Sequence, residues 1–589
     1  MRLLQALQAC GLRRLVLCPG SRSGPLAVAA GLLESSSPGA PSLDLLTAVD
    51  ERSAAFLALG LGRADGHAAA VVTTSGTAVA NLLPAAVEAD HGAIPLLLLS
   101  ADRPQRLKGI GANQTVNQER FLEPSARLAL SGDPRGLAAM APAALDALAQ
   151  RAWAAAHGAP AGPVHLNLPL EEPLHAGVAE LQQLAAAPRD PLPVPPLTPG
   201  AVSAPPGPPH PSPPQPSPLD PQRPGAVVVG PWRGPLAELP AFAEALARWQ
   251  GATGWPVLAD GLSGLRGMPG LGLIHSYDLL LEVGHRLPPA PQLLRLGPMP
   301  ASRRLQQWIA AGDGPQLLIS EADPRNLDAS ASASQSCGLG LAPWLQAQPP
   351  LPLAPSAEAL AWAEPWRRAD AAAQTHLDGL LQGGAGEPAI ARALSRLLPP
   401  GLPVMLASSS PVRDWESFAA ADAPQRPLIG FRGASGIDGT LSLAAGLALG
   451  TGSLVLVSGD LALLHDSNGW LWMQQLVQRG VRLTVVLIDN GGGGIFEQLP
   501  IRADGPLDFE RLFAMPQAVD QLALAAAHGV PGRRLQDLAA LPEALAWALP
   551  QPLALIELRT DRQADARLRQ ELRRRMAALH GGPDGDPAP

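Results

Sequence analysis

Two side-chain oxygens end two apolar runs of the chain. Asp460 closes SLVLVSGD (453–460), Asn490 closes RLTVVLIDN (482–490), and Asn490 runs directly into four glycines, Gly491 to Gly494. A carboxylate and an amide oxygen are hard donors, and Mg2+ takes one or two such side chains before filling its octahedron with phosphate and water. Glycines beside them let backbone carbonyls and amides approach a metal or phosphate with no Cβ in the way. A plainer reading has Asp460 capping a helix and the glycines forming an ordinary loop. The residues alone leave both readings open.

The chemical reading requires the two runs to be neighbouring parallel strands. Both have strand length, and the intervening SNGWLWMQQLVQRG (467–480) predicts a helix that stops at glycine. A right-handed crossover then places Asp460 and Asn490 at the carboxyl ends of adjacent strands, where open α/β sheets bind ligands. The same alternation recurs along the chain. RLVLCPG, AAAVVTTSG, IPLLLLSADRP and GPVHLNLP mark a segment over 1–187; GAVVVGPWRG, LLLEVGH, QLLRLGPMPASRRLQQW and PQLLISEADPRN mark one over 226–350; GLPVMLASSS, SLVLVSGD, RLTVVLIDN and PLALIELRTD mark one over 385–580. The expected fold is α/β, with three tandem doubly wound parallel-sheet domains. Residues 188–225 are too rich in proline to form a backbone ladder and read as a linker. Residues 351–384 read as a linker and helical connection, and 581–589 as a tail with nothing to bury.

Composition bounds the function. A chain of 589 residues exceeds one ordinary core, and 47% hydrophobic against 16% charged residues is a globular balance. A formal net charge of −8 argues against a general nucleic-acid binder, while clustered arginines still suit small acids. Lys108 is the only lysine, so arginine carries nearly all the positive charge. The three cysteines, Cys10, Cys18 and Cys337, lack metal-ligand spacing, and an odd number suits a reducing compartment. The N-terminus lacks a signal-peptide core, and no run approaches the roughly 20 apolar residues of a membrane span. These features predict a cytoplasmic protein with no integral membrane segment. Glu51, in LLTAVDERSAAF, stands at a strand-to-helix junction, where Asp50 and Glu51 read by themselves as an acidic pair favoured by the helix dipole.

GDLALLHDSNG (459–469) followed by VVLIDNGGGGIF (485–496) resembles the diphosphate motif of the pyruvate-decarboxylase-like thiamine-diphosphate enzymes. The resemblance implies a thiamine-diphosphate-binding fold in which Asp460, Asn490 and the carbonyl of Gly492 hold Mg2+, or Mn2+ in its place, on the cofactor. It also implies that Ile437 lies beneath the cofactor and enforces its bent conformation. Glu51, supplied from another domain, would meet N1′ of the aminopyrimidine. A carboxyl desolvated there has a raised pKa and can share a proton with the ring nitrogen.

Four further stretches, CPGSRSGPLAVAA (18–30), TSGTAVANLLPAAVEA (74–89), SADRPQRLKGIGANQT (100–115) and FRGASGIDGTLSLAAG (431–446), resemble one branch of that class. It is the 2-succinyl-5-enolpyruvyl-6-hydroxy-3-cyclohexene-1-carboxylate synthases of menaquinone and phylloquinone biosynthesis. These transferases decarboxylate 2-oxoglutarate and add the resulting carbanion to isochorismate in a 1,4-addition. Both substrates are dicarboxylates, which arginine's planar fork suits. Carried over by motif, Ser21, Arg22, Arg103, Asn113 and Gln114 would contact isochorismate. Ser409 and Arg413 would hold 2-oxoglutarate, and Arg432 one or both acids. Arg303 and Arg304 would add positive charge, although the family usually has lysine where Arg303 stands. Phe496 and Leu499 would shape the pocket wall. The family further implies a homo-oligomer, a dimer of dimers, with the cofactor between the first domain of one subunit and the third of another.

Rival readings are another thiamine-diphosphate-dependent 2-oxo acid decarboxylase or carboligase, and a catalytically inactive nucleotide-binding relative. PGSRS together with GANQ argues against the first. A dinucleotide fingerprint is absent, because CPGSRSG lacks the G-x-G-x-x-G spacing.

Overall fold

The apolar runs form parallel strands in the structure, a computed structural model that describes residues 1–34, 43–186, 216–282, 287, 289–502 and 507–579. The expected linker at 188–225 lies outside the described residues as far as 215, and the tail at 581–589 lies wholly outside them.

Three sheets of six strands each are present, and every strand pair among them is parallel. The first contains β1 (Arg14–Leu17), β2 (Asp44–Thr47), β3 (Ala69–Thr73), β4 (Leu96–Asp102), β5 (Leu128–Ser131) and β6 (Pro163–Pro169) in the order β2-β1-β3-β4-β6-β5. The second contains β7 (Ala226–Val229), β8 (Val257–Ala259), β9 (Leu273–Ile274), β10 (Leu293–Leu296), β11 (Gln316–Ile319) and β12 (Gln335–Cys337), ordered β12-β11-β10-β7-β8-β9. The third contains β13 (Val404–Leu406), β14 (Leu428–Ile429), β15 (Ser453–Gly459), β16 (Arg482–Asp489), β17 (Gly532–Leu535) and β18 (Leu553–Arg559), ordered β14-β13-β15-β16-β18-β17. Each central strand is covered on both faces, which is why these strands read as continuous apolar runs: every residue of β4 and β6 is buried.

Eight helices position the candidate residues: α1 (Glu51–Asp65), α2 (Leu83–Gly92), α3 (Arg303–Ala310), α4 (Glu387–Leu397), α5 (Ser410–Phe418), α6 (Thr440–Thr451), α7 (Asp460–His465) and α8 (Arg562–Leu579). Their ends follow local chemistry. The Asp50 side chain accepts the Arg52 N–H and starts α1, and Gly66 in the left-handed region stops it. The Ser302 hydroxyl accepts the Leu305 N–H and starts α3.

The chain divides into two compact units. One comprises the described residues of 1–207 with 431–452 and 466–479; the other comprises the rest. The core of the first packs Leu4, Leu7, Trp153 and Leu166 about its sheet. In the second, Trp249, Trp255 and Trp344 fill one core, and Leu394, Trp415 and Ile556 belong to another.

Two local expectations differ from the structure. The run 467–480 is a 3-10 segment, Ser467–Trp472, leading into a short α-helix, Met473–Gln478. Tight packing explains the change: the Asp466 carboxylate accepts the Ser442 N–H, and a Cβ on Gly469 would lie 2.8 Å from that of Leu441. LLLEVGH falls on the helical turn Tyr277–Leu280 and continues into residues outside those described. Cys10, Cys18 and Cys337 are all free. Among the described residues no helix is long and apolar enough to cross a membrane.

Candidate active site

In the first unit the candidate residues follow the carboxyl ends of four adjacent strands. Glu51 follows β2, Ser21 and Arg22 follow β1, Ser75 follows β3, and Arg103 follows β4. Glu51 is half-buried at the start of α1, and the Asn81 side-chain amide lies 3.4 Å from its Oε2. Arg22 is buried, donates to the Leu170 carbonyl at 2.9 Å and pairs with Glu172 at 3.3 Å. Arg103 is also buried and donates to the Ser75 hydroxyl and, at 2.9 Å, to the Gln114 carbonyl. Burial, and then the neighbouring charge of Arg22, hold the Arg103 pKa below its ordinary value. Two buried guanidiniums that repel each other favour an anion between or beside them.

Gln114 joins this group through its backbone and holds φ at 55°, a strained value for a residue with a Cβ. Ser21, Asn113 and Gln114 are exposed. Behind Arg103, Asp102 is fully buried. It accepts the Arg103 N–H at 2.8 Å and the Asn167 amide at 2.8 Å, and it pairs with Lys108 at 2.6 Å.

Arg432 and Ile437, both half-buried, lie on the loop before α6. Glu88 of α2 holds that loop, its carboxylate accepting the N–H groups of Gly433 (2.7 Å), Ala434 (2.7 Å) and Ser435 (3.1 Å). At the end of the loop, a Cβ on Gly439 would lie 2.0 Å from the Phe56 ring of α1, so only glycine fits.

In the second unit the ends of β13, β15 and β16 carry Ser409, Asp460 and Asn490. Asp460 is the first residue of α7, as the helix-start reading expects, a position compatible with a ligand role for the same carboxylate. It accepts the N–H of Gly492, and burial together with the Asp489 carboxylate pushes its pKa up to about 7. Among the described residues no cationic side chain lies within ion-pair distance of Asp460. Asn490 is buried; its Nδ2 donates to Glu387, and its Oδ1 is buried without a partner among the described residues.

A buried carboxylate short of positive charge and an orphaned amide oxygen, joined through Gly492, form a hard-oxygen set that fits a small divalent cation. The glycines also serve the protein's own packing. A Cβ on Gly492 would lie 2.2 Å from the Ala514 carbonyl oxygen, and one on Gly493 2.6 Å from that of Phe513. Arg562 occupies the Gly491 carbonyl at 2.9 Å.

Ser409 precedes α5 with φ at 78°, and its carbonyl accepts from exposed Arg413 at 2.7 Å. Phe496 is half-buried, with its ring 6.0 Å from that of Phe513, and Leu499 is exposed. Arg303 is exposed at the start of α3, whereas Arg304 pairs with Asp278 at 3.3 Å and Glu282 at 2.8 Å. Asn81, Glu88, Glu387 and Arg569 surround candidate residues but carry no sequence signal, since each partner is distant along the chain.

This fold, with these residue sets, is that of the thiamine pyrophosphate enzymes. Residues 2–121 match the family model "Thiamine pyrophosphate enzyme, N-terminal TPP binding domain", 222–403 match "Middle domain of thiamine pyrophosphate", and 416–558 match the "C-terminal TPP binding domain" of the same enzymes. A solved structure of benzoylformate decarboxylase from Polynucleobacter necessarius superposes with a TM-score of 0.64 at 15% identity, covering 95% of this chain and 98% of that one, and so shares the fold. The 2-succinyl-5-enolpyruvyl-6-hydroxy-3-cyclohexene-1-carboxylate synthase of Synechococcus sp. (strain RCC307) is 55% identical over 577 residues, 97% of this chain and 96% of that protein. The protein of the same name from Prochlorococcus marinus (strain MIT 9313) is 53% identical over 579 residues, 96% and 97% of the two chains. The chain belongs to the 2-succinyl-5-enolpyruvyl-6-hydroxy-3-cyclohexene-1-carboxylate synthase family.

Proposed function

We propose that this protein is a thiamine-diphosphate-dependent transferase that decarboxylates 2-oxoglutarate and adds the resulting carbanion to isochorismate in menaquinone or phylloquinone biosynthesis. Its products are 2-succinyl-5-enolpyruvyl-6-hydroxy-3-cyclohexene-1-carboxylate and CO2. The observation that carries the reading is the buried, unpartnered Oδ1 of Asn490, on the loop where Gly492 meets Asp460.

Asp460, Asn490 and the Gly492 carbonyl would hold Mg2+, or Mn2+, on the diphosphate. When bound, thiamine diphosphate supplies the electron sink for loss of CO2. Glu51 would hold a proton at N1′ of the aminopyrimidine, with Asn81 fixing its carboxylate. Arg22 and Arg103, with Ser21, Asn113 and Gln114, would bind the carboxylates of isochorismate; their mutual repulsion in the free protein is relieved by an anion. Ser409 and Arg413 would orient 2-oxoglutarate, and Arg432 either acid. Arg303 and Arg304 would add positive potential, Ile437 would support the cofactor, and Phe496 and Leu499 would exclude water. We further propose a cytoplasmic homo-oligomer, a dimer of dimers, that completes each site with a second copy.

The test is CO2 release from 2-oxoglutarate by purified protein with thiamine diphosphate and Mg2+, with and without isochorismate. Release coupled to isochorismate consumption, and lost in Glu51→Gln, is the expected result. Turnover of a different 2-oxo acid instead would move the protein to a sister reaction. No cofactor-dependent turnover would overturn the enzymatic reading.

A further inference from the structure

We infer that Arg569 is a positioning residue that fixes both the amide of Asn490 and helix α5, through Glu387 and Asp414 respectively. The inference rests on the proposed roles of Asn490 as metal ligand and of Ser409 and Arg413 as 2-oxoglutarate site. Arg569 lies on α8, 3% exposed, with Glu387 at 1% and Asp414 at 4%. Its Nε donates to Asp414 Oδ1 at 2.9 Å and its Nη2 to Asp414 Oδ2 at 2.6 Å; Nη2 also donates to Glu387 Oε2. One guanidinium therefore grips two carboxylates from two helices, a task for a planar fork and not for a point charge.

Each carboxylate passes that constraint on. The second oxygen of Glu387, Oε1, accepts from Asn490 Nδ2. An amide turned end for end would set its carbonyl oxygen against this carboxylate, so Glu387 selects the orientation that leaves Oδ1 free. The backbone N–H of Glu387 donates to Asp565 Oδ1 at 3.0 Å, which ties the start of α4 to α8 as well. Asp414 directly follows Arg413 in α5, so the bidentate grip of Arg569 also sets where the candidate 2-oxoglutarate arginine begins. A helix distant in sequence thus governs both halves of one chemical task.

The test uses the full chain and reads Mg2+-dependent thiamine-diphosphate binding by titration calorimetry, beside KM for each substrate and thermal stability. Arg569→Lys keeps the charge and loses the fork. It is expected to weaken Mg2+ by about 10- to 100-fold, the usual range for groups that orient metal ligands, and to raise KM for 2-oxoglutarate while leaving KM for isochorismate unchanged. Glu387→Gln is expected to reproduce only the metal effect, and Asp414→Asn only the 2-oxoglutarate effect, which keeps the test decisive if Arg569→Lys fails to fold. Arg426→Lys is the control, because among the described residues buried Arg426 donates to backbone carbonyls alone, those of Ser395, Leu398 and Pro399. If the Arg569 and Glu387 variants lose thermal stability as Arg426→Lys does and shift neither Mg2+ nor 2-oxoglutarate, the role is structural and the inference is overturned. Asn490→Ala separates the two levels: no loss of Mg2+ affinity there overturns the ligand reading itself, whereas a loss there with none in Glu387→Gln overturns the positioning role alone.

Discussion

Gly60 of α1 and Gly446 of α6 bring their two helix backbones into contact. A Cβ on Gly446 would lie 2.1 Å from the Leu57 carbonyl oxygen, and one on Gly60 2.4 Å from that of Leu443. Helix α1 begins at Glu51 and α6 follows the Ile437 loop, so this crossing fixes the two helices from which these candidate cofactor residues are held.

Any side chain at the crossing must force the helices apart. Gly60→Val is expected to cost about 3 kcal/mol or more, at the upper end for overpacking because backbone and not side chain must yield. Activity is expected to fall further than stability accounts for, since the start of α1, where Glu51 stands, is displaced. Gly251→Ala is the contrast: a methyl group added to this helical glycine would meet nothing within 4 Å, and the change should stabilise by roughly 0.5–1 kcal/mol. Thermal melts and turnover of both variants check the pair.

Glu88 offers a second lever on the same loop. Its carboxylate accepts three consecutive backbone N–H groups, Gly433 to Ser435. A glutamine keeps one acceptor oxygen but turns an NH2 towards donors that then lack a partner. Glu88→Gln should lose about 1–3 kcal/mol of stability and raise KM for the acids that Arg432 is proposed to bind. Urea denaturation and initial rates measure the two effects; unchanged KM with lost stability would separate the loop from substrate binding.

The sequence made some of this legible and not the rest, for physical reasons. Buried parallel strands are written as uninterrupted apolar runs, so β4, β6, β15 and β16 could be read directly, and with them the carboxyl ends where Arg103, Asp460 and Asn490 fall. The glycines after Asn490 announced a close approach but not to what: part of the answer is the Phe513 and Ala514 carbonyls. Glu387, Asp414 and Arg569 were illegible because their contacts join residues 155 and 182 positions apart, and nothing local marks a charge as buried. The break in 467–480 has the same origin, since Gly469 is placed by Leu441 and not by its own helix.

Arg103 and Arg22 form the clearest test of the acid-binding reading. Arg103→Lys preserves charge yet gives up the fork that reaches both Ser75 and the Gln114 carbonyl. KM for isochorismate is expected to rise by about 10-fold or more, the scale of one lost charge-assisted hydrogen bond of roughly 1.5–3 kcal/mol, with KM for 2-oxoglutarate unchanged. Equal changes in both constants would place Arg103 outside a site dedicated to isochorismate.

His165 predicts how the first unit responds to acid. It lies in β6 at 1% exposure, its Nε2 is 2.7 Å from the Ser100 hydroxyl, and burial holds its pKa down to about 4. The folded state therefore keeps the imidazole neutral, while the unfolded chain takes up a proton near pH 6.5. Below pH 6.5 the unfolded state binds more protons, so the contribution is fully present above that value and is lost as pH falls towards 4. A depression of this size amounts to roughly 3 kcal/mol. Ser100 also bonds Asn167, which in turn donates to Asp102, the acceptor of the Arg103 N–H. Protonation thus loosens the support of a candidate substrate arginine as well as the sheet. Stability measured by urea denaturation between pH 7 and pH 4 should fall by roughly 3 kcal/mol more in the wild type than in His165→Gln, whose side chain does not titrate. Parallel curves for the two proteins would mean that the imidazole escapes its buried site before it charges.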